Sequence, residues 1–116
     1  MKTAIEKRLR RKFRLRKKLF GTSNKPRICV FRSLKHVYIQ AVNDIEHKPI
    51  IGLSSKKLTP ENRMTKTELS YLAGKEFANI LLKHGITQAV FDRSGYKYHG
   101  RVKAVCEGLR EGGIRI

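Results

Sequence analysis

Apolar positions along the chain change their spacing twice. Near the N-terminus Ile5, Leu9 and Phe13 recur every fourth residue, and Leu19 and Phe20 follow. Residues four apart share a helix face, so this is a thin apolar stripe on a helix. From residue 27 the spacing shortens to two. Residues 27–33 (RICVFRS) are β-branched and aromatic, and residues 36–43 (HVYIQAVN) alternate. Val37, Ile39 and Ala41 then face one way, and His36, Tyr38, Gln40 and Val42 the other. Leu34-Lys35 is a tight connection, which makes the two strands a hairpin. Asn43, Asp44 and the residues from Glu46 to Pro49 are expected to turn. Residues 50–54 (IIGLS) are expected as a third strand, weakened by Gly52. The polar stretch 56–66, with Pro60, is expected as a loop.

The helical period returns over residues 67–83, where Leu69, Leu72, Ala73, Phe77, Ile80 and Leu81 share a face. Thr65 or Thr67 suits its N-cap, and Gly85 suits the position just past its end. Residues 87–92 (TQAVFD) carry apolar side chains in succession, which suits a strand covered on both faces. Val102, Val105, Cys106 and Leu109 mark a last helix ending at Gly112-Gly113. The order is βββαβα: an antiparallel meander, then a right-handed crossover into a central parallel strand. The fold class is α/β, a single domain with a mixed sheet and helices packed on it, preceded by a basic helical arm.

Composition adds a partner to this picture. The 116 residues, enough for one domain, carry 27 Lys+Arg against 9 Asp+Glu, a formal net charge of +18. Such a field attracts polyanions, nucleic acid above all and an anionic membrane surface as the alternative. Residues 1–27 hold 12 of the Lys/Arg and a single acid, Glu6. Gly21, Thr22, Ser23, Asn24 and Pro26 then read as a linker, which divides the chain into an arm with its linker (1–26) and a folded domain (27–116). No run of roughly 18 apolar residues suggests a membrane span, and no apolar leader suggests secretion. Cys29 and Cys106 sit inside apolar patterns and are expected as buried thiols of a reducing, cytoplasmic setting. No cofactor or metal is expected.

The richest chemistry lies in residues 92–101 (DRSGYKYHGR), at the junction of a strand end and a helix start. Ligands of open α/β sheets bind at such junctions, and a helix N-terminus favours an anion. Arg93, Lys97 and Arg101 add charge, Tyr96, Tyr98 and His99 add rings that can stack on unpaired bases, and Gly95 and Gly100 allow close approach. Asp92, Ser94 and His99 have the residue types of a hydrolase triad, but no strained nucleophile elbow accompanies them. Asp92 is expected instead to cap the loop or to pair with Arg93 or Arg101, and no catalysis is expected. The hairpin face of Arg32, Ser33, Lys35, His36, Tyr38 and Gln40 serves equally as an RNA surface or as the solvated side of a half-buried sheet. Two competing readings are a DNA binder, for which a helix-turn-helix pattern is missing, and a membrane-surface arm, for which Trp is missing.

The run from Phe91 to Ala104 (FDRSGYKYHGRVKA) closely resembles the signature of the bacterial large-subunit ribosomal protein L eighteen family. So do Gly21-Thr22 with Pro26-Arg27, Val30-Phe31-Arg32-Ser33, and His36-Val37-Tyr38-Ile39-Gln40, and the likeness spans essentially the whole chain. The resemblance implies a βββαβα sheet of ribonuclease-H-like, translational-machinery-component topology without a catalytic carboxylate set. It implies a cytoplasmic ribosomal protein that binds 5S rRNA and fixes it to the large-subunit rRNA in the central protuberance, beside ribosomal protein L five and other proteins there. No membrane, small-molecule substrate or self-association is expected. Carried onto this chain, the RNA-contacting positions are Lys7, Arg8, Arg10, Arg11, Lys12, Arg14, Arg16, Lys17 and Lys18 of the arm. Arg32, Ser33, His36, Tyr38 and Gln40 of the sheet join them, with Tyr96, Lys97, Tyr98, His99 and Arg101 of the loop; beside these, Arg27, Arg93 and Ser94 are expected as RNA contacts. Gly108 and Gly112 depart from the family pattern, where better helix formers are usual. At about 1 kcal/mol each, they are expected to weaken the last helix.

Ten Lys/Arg in the first 20 residues repel one another, so the arm helix should be marginal alone and form on phosphates. Circular dichroism of the arm peptide should therefore show helix rising on addition of RNA. A peptide already fully helical without RNA contradicts this.

Overall fold

In a computed structural model, residues 3–16, 19–58 and 63–116 are described, with the side chains of 11–16 left aside. The elements run α1 (Ala4–Arg16), β1 (Arg27–Arg32), β2 (Val37–Asn43), β3 (Lys48–Ser54), a 3₁₀ turn (Ser55–Lys57), α2 (Lys66–Lys83), β4 (Val90–Asp92) and α3 (Gly100–Glu111). The sheet order is β3-β2-β1-β4, with β4 parallel to β1 and the other pairs antiparallel. The βββαβα order from β1 to α3 is the one the periodicity predicts.

Three expectations are corrected. The crossover strand is not central: β4 has three residues and pairs only with β1 in the sheet. The meander leaves β1 one open edge, and a strand arriving later takes that edge without breaking the β1–β2 hairpin. The apolar run before it is covered differently. Ala89 enters the core, and the chain's end closes alongside, where the Ala89 and Arg115 amides donate to Arg115 and Thr87 carbonyls at 3.0 and 2.9 Å. Next, β3 begins at Lys48 and includes Pro49, expected in the turn. It is an edge strand, where a missing N–H is tolerated, and the β2–β3 register shifts between Ala41 and Val42. The tight reversal falls on His47 (φ 55°), with the Asn43 carboxamide accepting from Ile45 N at 3.0 Å. The third correction concerns the 56–66 loop, of which 59–62 lie outside the described residues. It opens on the 3₁₀ turn and closes earlier than expected, because Thr65 caps α2 by accepting from Glu68 N at 3.2 Å.

The core lies on one side of the sheet. Ile28, Val30, Val37, Ile39 and Ala41 meet Ala73, Phe77, Ala78 and Leu81 of α2 and Val102, Val105 and Leu109 of α3. The alternation in β2 thus divides as read: Val37, Ile39 and Ala41 are buried, Tyr38 is half-buried and Gln40 exposed. Among the described residues, no helix layer packs on the opposite face of the sheet.

The two helices cross on glycine. A Cβ on Gly108 would sit 2.2 Å from the Tyr71 carbonyl, and one on Gly74 2.3 Å from that of Val105. Gly112 is the C-cap of α3 rather than an interior residue, and a Cβ there would meet Ala78 at 2.4 Å. These glycines set the α2–α3 distance, so they do not simply weaken α3 as expected. Gly108→Ala distinguishes the two effects. Propensity alone predicts a gain of about 1 kcal/mol. The contact predicts overpacking, with a net loss of about 1–3 kcal/mol in thermal or urea unfolding.

Candidate nucleic-acid interface

At the start of β1, the Arg27 side chain is inside the protein. Its Nε donates to Asp44 Oδ2 at 2.9 Å and its Nη2 to Asp44 Oδ1 at 3.0 Å, while Nη1 donates to Asp92 Oδ2 at 2.7 Å and lies 2.8 Å from Cys29 Sγ. Side-chain exposures are 6% for Arg27, 9% for Asp44 and 0% for Asp92. The hydrogen bonds to Asp44 hold the guanidinium above its ordinary pKa, overcoming the opposing effect of burial, with Cys29 and Asp92 adding to them. Two more segments attach here. Gly21 N donates to Asp44 Oδ2 and Ser94 N to Asp92 Oδ1, both at 2.8 Å.

Arg27, expected as an RNA contact, has its donors committed to internal acceptors instead. Asp92 caps the loop through Ser94 N, the first of the two roles expected of it, and its other oxygen is held by Arg27 rather than by Arg93 or Arg101. Arg101 instead donates from Nη1 to the Ser33 carbonyl at 2.7 Å. A carboxylate gripped by Arg27 does not orient His99, so Asp92, Ser94 and His99 do not assemble a triad. Among the described residues no cluster of His, Cys, Asp and Glu could hold a metal ion.

The 93–101 loop is shaped by left-handed backbone at Ser94 (φ 55°), Gly95 (φ 80°) and Gly100 (φ 54°). Arg101 stitches it to the β1–β2 turn. In that turn Ser33 N donates to the His36 carbonyl at 2.8 Å, and the Ser55 hydroxyl lies 3.0 Å from His36 Nδ1. The rings of the loop part company. Tyr96 lies beneath two guanidiniums, Arg8 at 4.7 Å and Arg32 at 4.8 Å from its centroid. Tyr98 turns the other way, edge-on to Phe91 at 6.4 Å, and burial followed by its hydrogen bond with Cys106 raises the phenol above its ordinary pKa. Tyr98 is 40% exposed. Tyr96 and Tyr98 therefore form no common stacking platform.

The arm helix reaches this surface through Arg8, whose Nη1 donates to the Ser94 carbonyl at 3.1 Å. Lys7 and Arg10 are exposed. Lys17 and Lys18 lie outside the described residues, as do the side chains of Arg11, Lys12, Arg14 and Arg16. Ile5 and Leu9, the described part of the apolar stripe, are 68% and 39% exposed, so burial does not dock the helix.

Over the uncovered sheet face lies a shallow cavity of about 620 Å³, bordered by Arg8, Cys29, Phe31, Tyr38, Gln40 and Ser94. Phe31, exposed and 6.1 Å from Tyr38, is a candidate contact that the reading of individual motifs missed. Period-two alternation across the hairpin could have found it, since Phe31 and Tyr38 are paired positions. Most of the exposed acids lie elsewhere: Glu68, Glu76, Glu107 and Glu111 are on α2 and α3 and Glu46 is in the β2–β3 turn, while Glu6 is on α1.

The domain has two layers, helix-covered on one side and, among the described residues, open, cationic and aromatic on the other, which is the class of surface suited to a polyanion. The profile of the family described as ribosomal L18 of archaea, bacteria, mitochondria and chloroplast matches residues 2–116. The chain is 44% identical to the large ribosomal subunit protein uL18 of Aster yellows phytoplasma, over 93% of this chain and all of that one. It is also 44% identical to the uL18 of Lawsonia intracellularis, over all of this chain and 98% of that one. The chain belongs to the ribosomal L18 family.

The Arg27 knot makes a stability prediction. Arg27→Met leaves Asp44 and Asp92 buried without their cation, and should cost about 3–5 kcal/mol in urea unfolding. A loss below about 1 kcal/mol would show that the knot does not hold the fold.

Proposed function

We propose that this chain is a structural constituent of the large ribosomal subunit that binds 5S rRNA and helps attach it to the large-subunit rRNA in the central protuberance. The observation that carries the reading is one continuous surface. Arg101 on Ser33 and Arg8 on Ser94 join the hairpin, the 93–101 loop and the arm helix around the uncovered sheet face. Membership of the family and the signature run from Phe91 to Ala104 support the choice of RNA, and the resemblance supplies 5S rRNA, large-subunit rRNA and ribosomal protein L five as partners. The strand order β3-β2-β1-β4 supports a ribonuclease-H-like topology.

Labour divides at about residue 27. The arm (1–26) supplies affinity by releasing counterions from phosphates. The domain (27–116) supplies register through Arg32, Ser33, His36, Tyr38, Gln40, Arg93, Lys97, Tyr98, His99 and Arg101. Within it Tyr98 is the better base-stacking ring, because Tyr96 already carries two guanidiniums. Ser94 is buried and offers its backbone to Arg8, so its part is to hold the arm.

RNA co-purified with the tagged protein should be enriched in 5S rRNA. Removing residues 1–20 should flatten the dependence of log K on log salt. Tyr98→Ala should cost about 1–3 kcal/mol of 5S binding and narrow the preference over unrelated RNA. An unchanged salt slope on arm deletion, or equal binding of unrelated RNA by the intact protein, contradicts the reading.

A further inference from the structure

Apart from the one over the sheet face, a recess of about 400 Å³ lies between α1 on one side and Arg32 with residues Tyr96, Lys97, His99 and Gly100 on the other. Its charged lining residues are Arg8, Arg32 and Lys97, without a carboxylate among them. The two guanidiniums come from different parts of the chain, the arm and the end of β1. Both are drawn over the ring of Tyr96, at 4.7 and 4.8 Å. Like charges gathered on one ring repel each other, and the ring's attraction for each cation at an exposed site is modest. Neither guanidinium has a carboxylate partner among the described residues. The recess also borders the start of α3, at His99 and Gly100. The His99 N-cap makes no side-chain hydrogen bond to the helix, and the first turn of α3 contains no acid. The arrangement is complementary to an anion with several acceptor oxygens.

We propose that the recess seats one phosphate of the RNA backbone, gripped jointly by Arg8 of the arm and Arg32 of the domain. Lys97 and the α3 start complete the seat, and Tyr96 acts as a positioning residue that holds the two guanidiniums in place. The proposal rests on the RNA-binding reading above and adds which chemical group is held and that arm and domain share it. One consequence is coupling: the phosphate supplies the counter-charge that lets Arg8 and Arg32 stay together, so binding it docks the arm.

A double-mutant cycle in the full-length protein tests this with 5S rRNA as the probe. Arg8→Ala and Arg32→Ala should each weaken binding, and the double variant should be little worse than the weaker single one. The salt slope of the double variant should fall by one phosphate's share, roughly 0.9. Additive losses with a slope lower by two shares overturn the shared seat. Tyr96→Phe should preserve the coupling and Tyr96→Leu should reduce it; equal coupling in both removes Tyr96 from the proposal. Inorganic phosphate provides an arm that does not depend on RNA. Titrated into the full-length protein, it should shift the amide resonances of Gly100, Arg101 and Val102 saturably, and Arg8→Ala or Arg32→Ala should abolish the shift. Absent or unaltered shifts overturn the seat even if RNA binds. Phosphate shifts alongside additive RNA losses assign the recess to a free anion and overturn the RNA part. If 5S rRNA fails to bind the wild-type protein preferentially, the reading of function fails, and the phosphate titration still judges the recess.

Discussion

One buried guanidinium holds four parts of this protein in register. Arg27 stands at the start of β1, opposite Val42 on one side and Val90 on the other. Its two carboxylate partners lie at the end of β2 and the end of β4, so it clamps across both neighbours of β1. The clamp matters most for β4, because three residues of parallel pairing are a weak hold. The same carboxylates position two further segments. Asp44 accepts from Gly21, where the arm joins the domain, and Asp92 accepts from Ser94, where the loop begins. A Cβ on Gly21 would lie 2.2 Å from Arg27 N, so the approach at that join is close enough to require glycine. Arm and loop therefore leave the domain from one fixed point.

Desolvating such a cluster is expensive, and well-packed apolar side chains often do the structural job as well or better. The cluster has an electrostatic consequence that apolar residues would not reproduce. It takes two of the chain's few acids out of solvent at the edge of the uncovered face. The remaining exposed acids of the domain are mainly on α2 and α3, behind the sheet. The potential is thus polarised, with cations where a polyanion would dock and mixed charge on the helix layer. Such polarity orients an incoming nucleic acid before any contact forms. Glycine at the α2–α3 crossing supports the same division, since the helices pack tightly with each other and cover one sheet face completely while the other stays open.

Much of this was legible in the pattern of apolar residues. Val37, Ile39 and Ala41 named the buried face of β2, and the spacing from Leu69 to Leu81 named α2. What stayed illegible depends on partners far apart in sequence. Arg27 counts as a cation like any other until Asp44 and Asp92, 17 and 65 residues away, are seen around it. The position of β4 follows from which edge the meander leaves unpaired, which no local run of residues encodes. Tyr96 and Tyr98 look like a pair of stacking rings because they are close in sequence. The differing neighbours of the two rings, Arg8 and Arg32 over Tyr96 and Phe91 beside Tyr98, separate them. Gly108 reads as a weak helix residue because propensity is local, whereas the Tyr71 carbonyl that requires it belongs to another helix.

The arm shows how the charge asymmetry works on the fold itself. Its helix begins with a reciprocal cap, in which Glu6 N donates to the Thr3 hydroxyl at 3.1 Å, and the remaining arm charges are cationic. With Ile5 and Leu9 exposed, apolar burial contributes little to holding it on the domain. What does hold it is Arg8, through the Ser94 carbonyl and the Tyr96 ring. Both contacts draw on the charge of one guanidinium, at a site where Arg32 is already present to repel it. In the free protein the arm's orientation is therefore a balance of small electrostatic contributions, sensitive to salt. An anion between the two arginines reverses the sign of their mutual effect, and the helix that repels itself in solution gains both its counter-charge and its place on the domain from the same ligand.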